Sequence, residues 1–158
     1  MGPHLPRVFI LGSLFVACSA DAPVDLDAER AALLALHEQI LTSHRTDDVD
    51  GWLALEADTL LTGNRGDLEY SNKAERAEGR RQYLAATEFT VYRDMQPPVA
   101  RVSADGSLGW VFAQVEIVGE RVAATDTIAI HDVWTWIELY ARRPEGWRLV
   151  GNVSTAKP

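Results

Sequence analysis

The sequence predicts an α+β domain in which helices pack on one face of a curved, mainly antiparallel β-sheet. Apolar residues recur at the helical spacing of three to four in the first half of the chain, and at every second position in the second half. Turn-forming residues separate the strand-like runs at short intervals, as they do between the strands of hairpins. Helices followed by hairpins give an α+β domain, because one face of the sheet needs the helices as cover.

Three helices are predicted from apolar residues that share one helical face. The first covers residues 27–44, and its apolar stripe includes Leu33 and Ile40. The second covers residues 49–57 and follows an acidic turn that supplies its N-terminal cap. The third is a short helix over residues 80–87.

Strands are predicted wherever the alternation has a period of two. Residues 71–79 are too charged to assign, and residues 119–132 contain two shorter pieces, 121–125 and 127–130, that are both compatible with strands. The predicted strands are residues 59–62, 89–93, 99–102, 108–118, 133–142 and 147–154.

Composition excludes several classes of protein. The chain has 158 residues, 47% of them hydrophobic, which is enough for the core of one domain. Its net charge of −8 repels phosphate backbones, so we expect no nucleic-acid partner. We also expect no cofactor and no metal. One cysteine cannot form a cysteine-based zinc site, and His37 and His44 are roughly 10 Å apart on a helix, too far for one shared ion.

The N-terminus has the parts of a secretory signal. Arg7 precedes an uncharged run, residues 8–17, which is too short to span a membrane as a helix. The tetrapeptide Phe15-Val16-Ala17-Cys18 resembles a bacterial lipobox, and this resemblance implies cleavage before Cys18 and acylation of its thiol.

The predicted organisation is therefore a signal peptide over residues 1–17, a lipidated Cys18 with a tether over residues 18–26, and one domain over residues 27–156. We expect an exported protein, anchored by lipid in the bacterial cell envelope at the outer membrane or cell surface, with a secreted or periplasmic protein as the alternative. The membrane would be contacted through the lipid anchor only.

Three segments of the domain resemble one superfamily. Residues 48–58 (DVDGWLALEAD) look like the second helix of ketosteroid isomerase and its SnoaL-like relatives, and residues 79–84 (GRRQYL) look like the start of their third helix. Residues 138–150 look like their last hairpin. The domain thus resembles the nuclear-transport-factor-2-like, SnoaL-like superfamily over residues 28–155. The resemblance implies three N-terminal helices on a strongly curved, mixed, mostly antiparallel sheet that forms a cone-shaped pocket.

Glu138 is the first candidate site residue. Counted back from the last turn, it falls about where ketosteroid isomerase places the protonated carboxylic acid of its oxyanion hole. Alternation along the strand puts Glu138 on one face with Trp136 and Tyr140, which would exclude water from the carboxyl.

The rest of that machinery is missing. The general-base aspartate of the relatives corresponds to Gly63 or Asn64, and no tyrosine occurs at residues 38–40, where they carry one. Because an acid without a base cannot move a proton between carbons, we expect no ketosteroid-isomerase activity.

Other candidate site residues are indicated by their positions in the predicted helices and strands. His37 shares the apolar stripe of the first helix, and His131 is followed directly by Asp132. Alternation in residues 108–118 predicts that Trp110 and Gln114 face the cavity, while the apolar opposite face needs a second subunit as cover. A homodimer is therefore expected. The residues predicted to bind a ligand are Trp52, Tyr83, Trp110, Gln114, Trp136 and Tyr140.

Three functions remain open from the sequence. The first is a pocket that binds a small, partly apolar molecule without catalysis. The second is a SnoaL-like enzyme of the isomerase, cyclase or hydrolase type that uses Glu138 with His37 or His131. The third is a dimeric domain that binds other envelope proteins.

Overall fold

The computed structural model describes residues 24–64, 66–123 and 125–157. The predicted signal peptide, Cys18 and most of the tether lie outside the described residues. The helices are α1 (Leu26–Arg45), α2 (Val49–Ala54) and α3 (Lys73–Ala85). The strands are β1 (Glu56–Asn64), β2 (Asp67–Asn72), β3 (Thr87–Asp94), β4 (Val99–Val102), β5 (Leu108–Ala123), β6 (Asp126–Arg143) and β7 (Gly146–Ala156).

The strands form one curved sheet in the order β2-β1-β7-β6-β5-β3, with β4 paired to β5 beside β3. All pairs are antiparallel except β1 with β7, so the sheet is mixed. Shifts of register interrupt three ladders, and such irregularities bend a sheet. The predicted fold class, helices on a curved and mostly antiparallel sheet, is confirmed.

Helix α1 fixes the position of the later site residues. Asp25 caps the helix by accepting from the backbone N–H groups of Asp27 and Ala28. Leu33, fully buried, lies against Gly109 of β5 so closely that a Cβ there would meet the leucine side chain at 2.5 Å. The glycine therefore allows the helix to approach the sheet, and His37, one turn further along α1, reaches the middle of β6.

Several element boundaries differ from the predictions, and strand β2 was not predicted. Helix α3 begins at Lys73, within the segment that was too charged to assign, because Asn72 and Glu75 form a reciprocal capping box. Helix α2 ends at Ala54, and the chain enters β1 at Glu56 because that carboxylate is buried in ion pairs with α3. Neither feature depends on apolar periodicity, which is why the pattern did not show it.

The pairing register decides which face of β5 is covered. Val111 lies opposite Glu138, and Val115 lies opposite Trp134, and directly opposed residues point to the same face. The prediction that the apolar face of β5 is the outer one is wrong. Val111 and Val115 are fully buried beneath the helices, while Phe112 is exposed on the outer face.

The described helices leave the outer face of the sheet uncovered. Four apolar side chains form a row across four strands there, because each is opposite the next in the register: Val99, Phe112, Ile137 and Val153. Phe112 and Val153 are about half exposed, at 49% and 52%. Within the described ranges, no helix combines the length and apolar composition that crossing a membrane requires.

We predict that a second copy covers this row. Residues 19–158 should sediment as a dimer at micromolar concentration, because burying the row removes apolar surface from water. Phe112→Glu should shift the protein to monomer, since it places a charge at the centre of the row. Gln82→Glu adds the same charge on an exposed position of α3 and should leave the dimer intact. A monomeric parent protein would contradict the prediction.

Candidate functional site

A cavity of about 490 Å³ opens between the concave face of the sheet and the helices. This volume is in the range of small-molecule sites. Aromatic and aliphatic side chains make up about half of its lining, and charged and polar side chains make up most of the rest. The apolar lining consists of Ile40, Trp52, Leu60, Tyr83, Tyr92, Ile117, Ile130, Trp134, Trp136 and Leu149. The charged and imidazole groups of the lining are His44, Glu56, Glu69, Arg80, Arg121, Asp132 and Glu138.

Behind one wall of the cavity, a histidine is held between two carboxylates. His37 Nδ1 lies 2.9 Å from Glu138 Oε1, and His37 Nε2 lies 3.1 Å from Asp94 Oδ1. The histidine and Glu138 are almost fully buried, whereas the Asp94 side chain is 20% exposed. Because both ring nitrogens face acceptors, both must carry a proton to satisfy the contacts.

The charges of this triad follow from its geometry. Burial lowers the pKa of His37, but hydrogen bonding and attraction to Glu138, and then to Asp94, outweigh burial and raise its pKa to about 9. The imidazolium is therefore the form present at neutral pH. It neutralises one of the two carboxylates that it contacts.

Glu138 accepts three hydrogen bonds. Oε1 accepts from His37 and from Trp136 Nε1 at 2.9 Å, and Oε2 accepts from the Tyr140 hydroxyl at 2.8 Å. Three donors around one carboxyl stabilise the ionised acceptor. The role implied by the resemblance, a protonated acid that donates to a substrate oxygen, does not fit this arrangement.

His44 is the imidazole that borders the cavity itself. Its Nδ1 lies 2.8 Å from the Ile40 carbonyl, so Nδ1 carries the proton and Nε2 is an acceptor. The ring stacks on Tyr92 with centroids 4.3 Å apart and contacts Trp52 at 4.0 Å. Burial, together with the nearby charges of Arg80 and Arg45, lowers the pKa of His44 to about 4, so the ring is neutral at pH 7.

A second charged cluster lies on another wall. Glu56 is fully buried and forms ion pairs with Arg76, at 2.7 Å, and with Arg80. The guanidinium carbon of Arg80 also lies over the ring of Trp52, 3.5 Å from its centroid. Burial lowers the pKa of Arg80, and Glu56 opposes that effect. Two guanidinium groups thus share one carboxylate.

The predicted site residues separate into three groups. Glu138, Trp52, Tyr83 and Trp136 line the cavity. His37 and Tyr140 lie behind its wall and contact Glu138 rather than the open space. Their predicted roles in catalysis or binding stay predictions, since a position does not show a role.

The third group consists of Trp110, Gln114 and His131, which lie on the outer face of the sheet. The prediction that these side chains face the cavity is wrong for Trp110 and Gln114, because the register opposes them to outward residues of β6. The His131 side chain is 75% exposed beside Glu116, so it cannot act with Glu138 in one site. Alternation predicts which residues of a strand share a face, but not which face turns inward.

Several residues of the cavity were missed. His44 was the residue that sequence could have found, because it follows the apolar stripe of α1 one turn after Ile40. Arg76 lay in the unassigned charged segment, whereas Arg80 was the first residue of the predicted third helix but had no predicted role in the site. No feature of the sequence indicated that Asp94 belongs to the site, because only the tertiary fold brings it to His37. In the described ranges, no group of three or more side chains that could hold a metal ion is found.

Comparisons with known proteins find relatives by structure only. No family model and no curated protein matches the sequence. Among solved structures, a nuclear-transport-factor-2-like superfamily protein from Salmonella enterica has a TM-score of 0.70 at 16% identity, covering 84% of this chain and 93% of its own. A ketosteroid isomerase-like protein from Erwinia carotovora has a TM-score of 0.65 at 17% identity, covering 82% and 98%.

A third structure is described as an NTF2-like protein of unknown function in nutrient uptake from Rhodospirillum rubrum. Its TM-score is 0.64 at 19% identity, with coverage of 80% and 98%. Identities this low establish a shared fold and leave the ligand and the chemistry open.

We predict that stability depends on pH through the two buried histidines. The pKa of His37 rises from 6.5 to about 9 on folding, so its contribution is complete below pH 6.5 and is lost as pH rises through about 9. The loss should be on the order of 3 kcal/mol. The pKa of His44 falls to about 4, so stability should also decrease as pH falls from 6.5 towards 4.

Urea denaturation at pH values from 4 to 10 measures this dependence. His37→Gln should abolish the decline in the free energy of unfolding above pH 6.5. His131→Gln changes an exposed position and should preserve this decline. A parent protein with constant stability between pH 6.5 and 9.5 would refute the assignment of the imidazolium.

Proposed function

We propose that this chain, which has the nuclear-transport-factor-2-like fold, is an exported and lipid-anchored binding protein whose cavity holds a small, partly apolar molecule without catalysis. The observation that carries the proposal is the cavity of about 490 Å³, in which ten aromatic and aliphatic side chains lie beside charged and polar ones. Such a composition favours a ligand with an apolar body whose orientation is fixed by a small number of hydrogen bonds.

The geometry of the acidic and basic groups favours binding over catalysis. General acid–base catalysis needs a group that can give or take a proton near neutral pH. Glu138 is engaged by three donors, and His37 uses both ring nitrogens within the protein. The neutral His44 has a pKa of about 4, which makes it a weak base.

Enzymatic activity of the SnoaL-like kind is the second candidate. The observation in its favour is that His44 keeps Nε2 unprotonated on the cavity wall, near the phenol of Tyr83. A base with so low a pKa suits only substrates that give up a proton readily. Binding without catalysis is therefore the first of the two candidate functions.

Export and anchoring rest on the sequence of the N-terminus. The uncharged run of residues 8–17 before Cys18 supports cleavage and acylation there, and the first helix, α1, begins at Leu26, eight positions after Cys18. A short tether would hold the cavity close to the membrane surface.

We predict that neutral aromatic fragments bind in the cavity. Naphthalene-2-carboxamide, a neutral probe, should bind to residues 19–158 and quench tryptophan fluorescence, because Trp52, Trp134 and Trp136 line the space. Thr62→Trp, on the cavity wall, should weaken binding by about tenfold or more by filling the space.

The matched control is Thr135→Trp, which adds the same side chain on an exposed position of β6. It should leave binding unchanged. Equal weakening by both substitutions, or none by Thr62→Trp, would place binding outside the cavity and contradict the proposal.

We predict that Cys18 carries the anchor. When the full chain is expressed in a bacterial host, it should incorporate labelled palmitate and partition into the detergent phase of Triton X-114. Cys18→Ser should abolish both properties, since no other thiol is available. Ser19→Ala leaves the cysteine in place and is the control. Labelling that persists in Cys18→Ser would disprove acylation at this residue.

A further inference from the structure

The cavity contains a largely buried cationic group, Arg80, whose hydrogen-bonding capacity is only partly used. Arg80 Nη2 donates to Glu56, whereas Arg80 Nε is buried without a hydrogen-bond partner. Within the described residues, no acceptor contacts Nη1 of Arg80 either. Guanidinium N–H groups without acceptors are costly in a protein interior, and the Arg80 side chain is only 16% exposed.

The neighbouring arginine of the same cluster differs from Arg80 in this respect. Arg76 donates from Nε to Glu56, from Nη1 to the Ser71 carbonyl and from Nη2 to the Ala57 carbonyl, so each of its nitrogens has a partner. Arg76 is therefore a structural link between α3 and β1. Arg80, one turn later, faces the cavity and also lines a smaller adjoining cavity of about 340 Å³.

The net charge of the cluster formed by Arg76, Arg80 and Glu56 also favours an anionic ligand. Arg76 and Arg80 carry two positive charges against the one negative charge of Glu56, which leaves a net charge of +1 beside the cavity. The triad of His37, Glu138 and Asp94 carries a net charge of −1, since one imidazolium lies between two carboxylates, and Asp94 is its partly exposed member. An anion on Arg80 would thus compensate a charge that the protein itself leaves unpaired.

Two acidic residues oppose this attraction weakly. Glu69 and Asp132 line the cavity but are exposed to solvent, where water and salt screen their charges. Arg121 is on the same lining, 5.2 Å from the ring centroid of Tyr83, and adds a positive charge. The buried part of the cavity is therefore more favourable to an anion than its exposed rim.

From these contacts we infer that the ligand of the cavity carries a carboxylate, which accepts from Arg80 while an apolar body lies among the tryptophans. The inference rests on the proposed function and adds the chemical class of the ligand. A planar carboxylate suits a guanidinium group, because the N–H groups of both Nη atoms and of Nε lie in one plane, and Arg80 is held by its contacts with Trp52 and Glu56. The lowered pKa of Arg80 agrees with a desolvated cation.

Isothermal titration calorimetry with three probes of one shape tests the inference: 2-naphthoate, naphthalene-2-carboxamide and 2-naphthylmethylammonium. The protein is the full chain as a bacterial host processes it. Naphthoate should bind about tenfold more tightly than the neutral amide, because a charge-assisted hydrogen bond is stronger than a neutral one. The ammonium probe should bind most weakly.

Arg80→Gln should remove the preference for naphthoate, so that the ratio of the affinities for naphthoate and the amide falls to about one. Arg80→Lys keeps the charge but not the planar group, and should recover only part of the preference. Arg93→Gln is the matched control, because Arg93 is a 69% exposed arginine on the outer face, paired with Glu116.

The outcomes separate this inference from the proposed function. If the amide binds as tightly as naphthoate, or the ammonium probe binds best, the carboxylate inference is overturned and the cavity function stands. If the preference disappears in Arg121→Gln but persists in Arg80→Gln, the assignment to Arg80 is overturned. If none of the three probes binds, the proposed function fails together with the inference.

Discussion

The structure depends on the buried contact between His37 and Glu138. The residues two positions before and after Glu138 share its face of β6 but belong to different hydrophobic clusters. Tyr140 belongs to the cluster that contains Leu33, and Trp136 belongs to the cluster that contains Leu41. The ion pair therefore lies where the two clusters meet, and it joins α1 to the middle of the sheet. Removing one partner of a buried pair costs roughly 3–5 kcal/mol, because the other charge is left without compensation.

The same contact limits the chemistry of the cavity. A carboxyl at this position could polarise a substrate only if it kept a proton to donate. Here the imidazolium, an indole and a phenol all donate to Glu138, so its function within the protein is that of an acceptor. The proposed polar contact with a ligand then falls to another wall, where the guanidinium of Arg80 lies over the ring of Trp52 and is paired with Glu56.

The shared fold explains why relatives in structure give no ligand. In this architecture the sheet and helices create a concave space whatever the lining, and each position of the lining varies independently of the frame. In this chain, Gly63 and Asn64 border the cavity where the resemblance implied a general base. The neutral His44 is instead contributed by α1. Function in this fold has to be argued from the lining of the individual protein.

The spacing of apolar residues was enough to predict helix α1, the central parts of the long strands and the fold class. Burial of one face of a helix or strand imposes this spacing on the local sequence. The same spacing also placed Glu138, Trp136 and Tyr140 on one face of β6, and His37 on the buried stripe of α1. The start of α3 was missed, since the reciprocal capping of Asn72 and Glu75 leaves no apolar pattern.

The sequence by itself determined which residues share a face, and the tertiary structure decided which face turns inward. A period of two is unchanged when a strand is rotated by half a turn about its axis. Only the register with β6 placed Val111 inside and Trp110 outside. Likewise, the contact of His37 with Asp94, and the contact of Glu56 with Arg80, join residues from separate elements of the chain. Their charges, and with them the properties of the cavity, arise only when packing removes these groups from water.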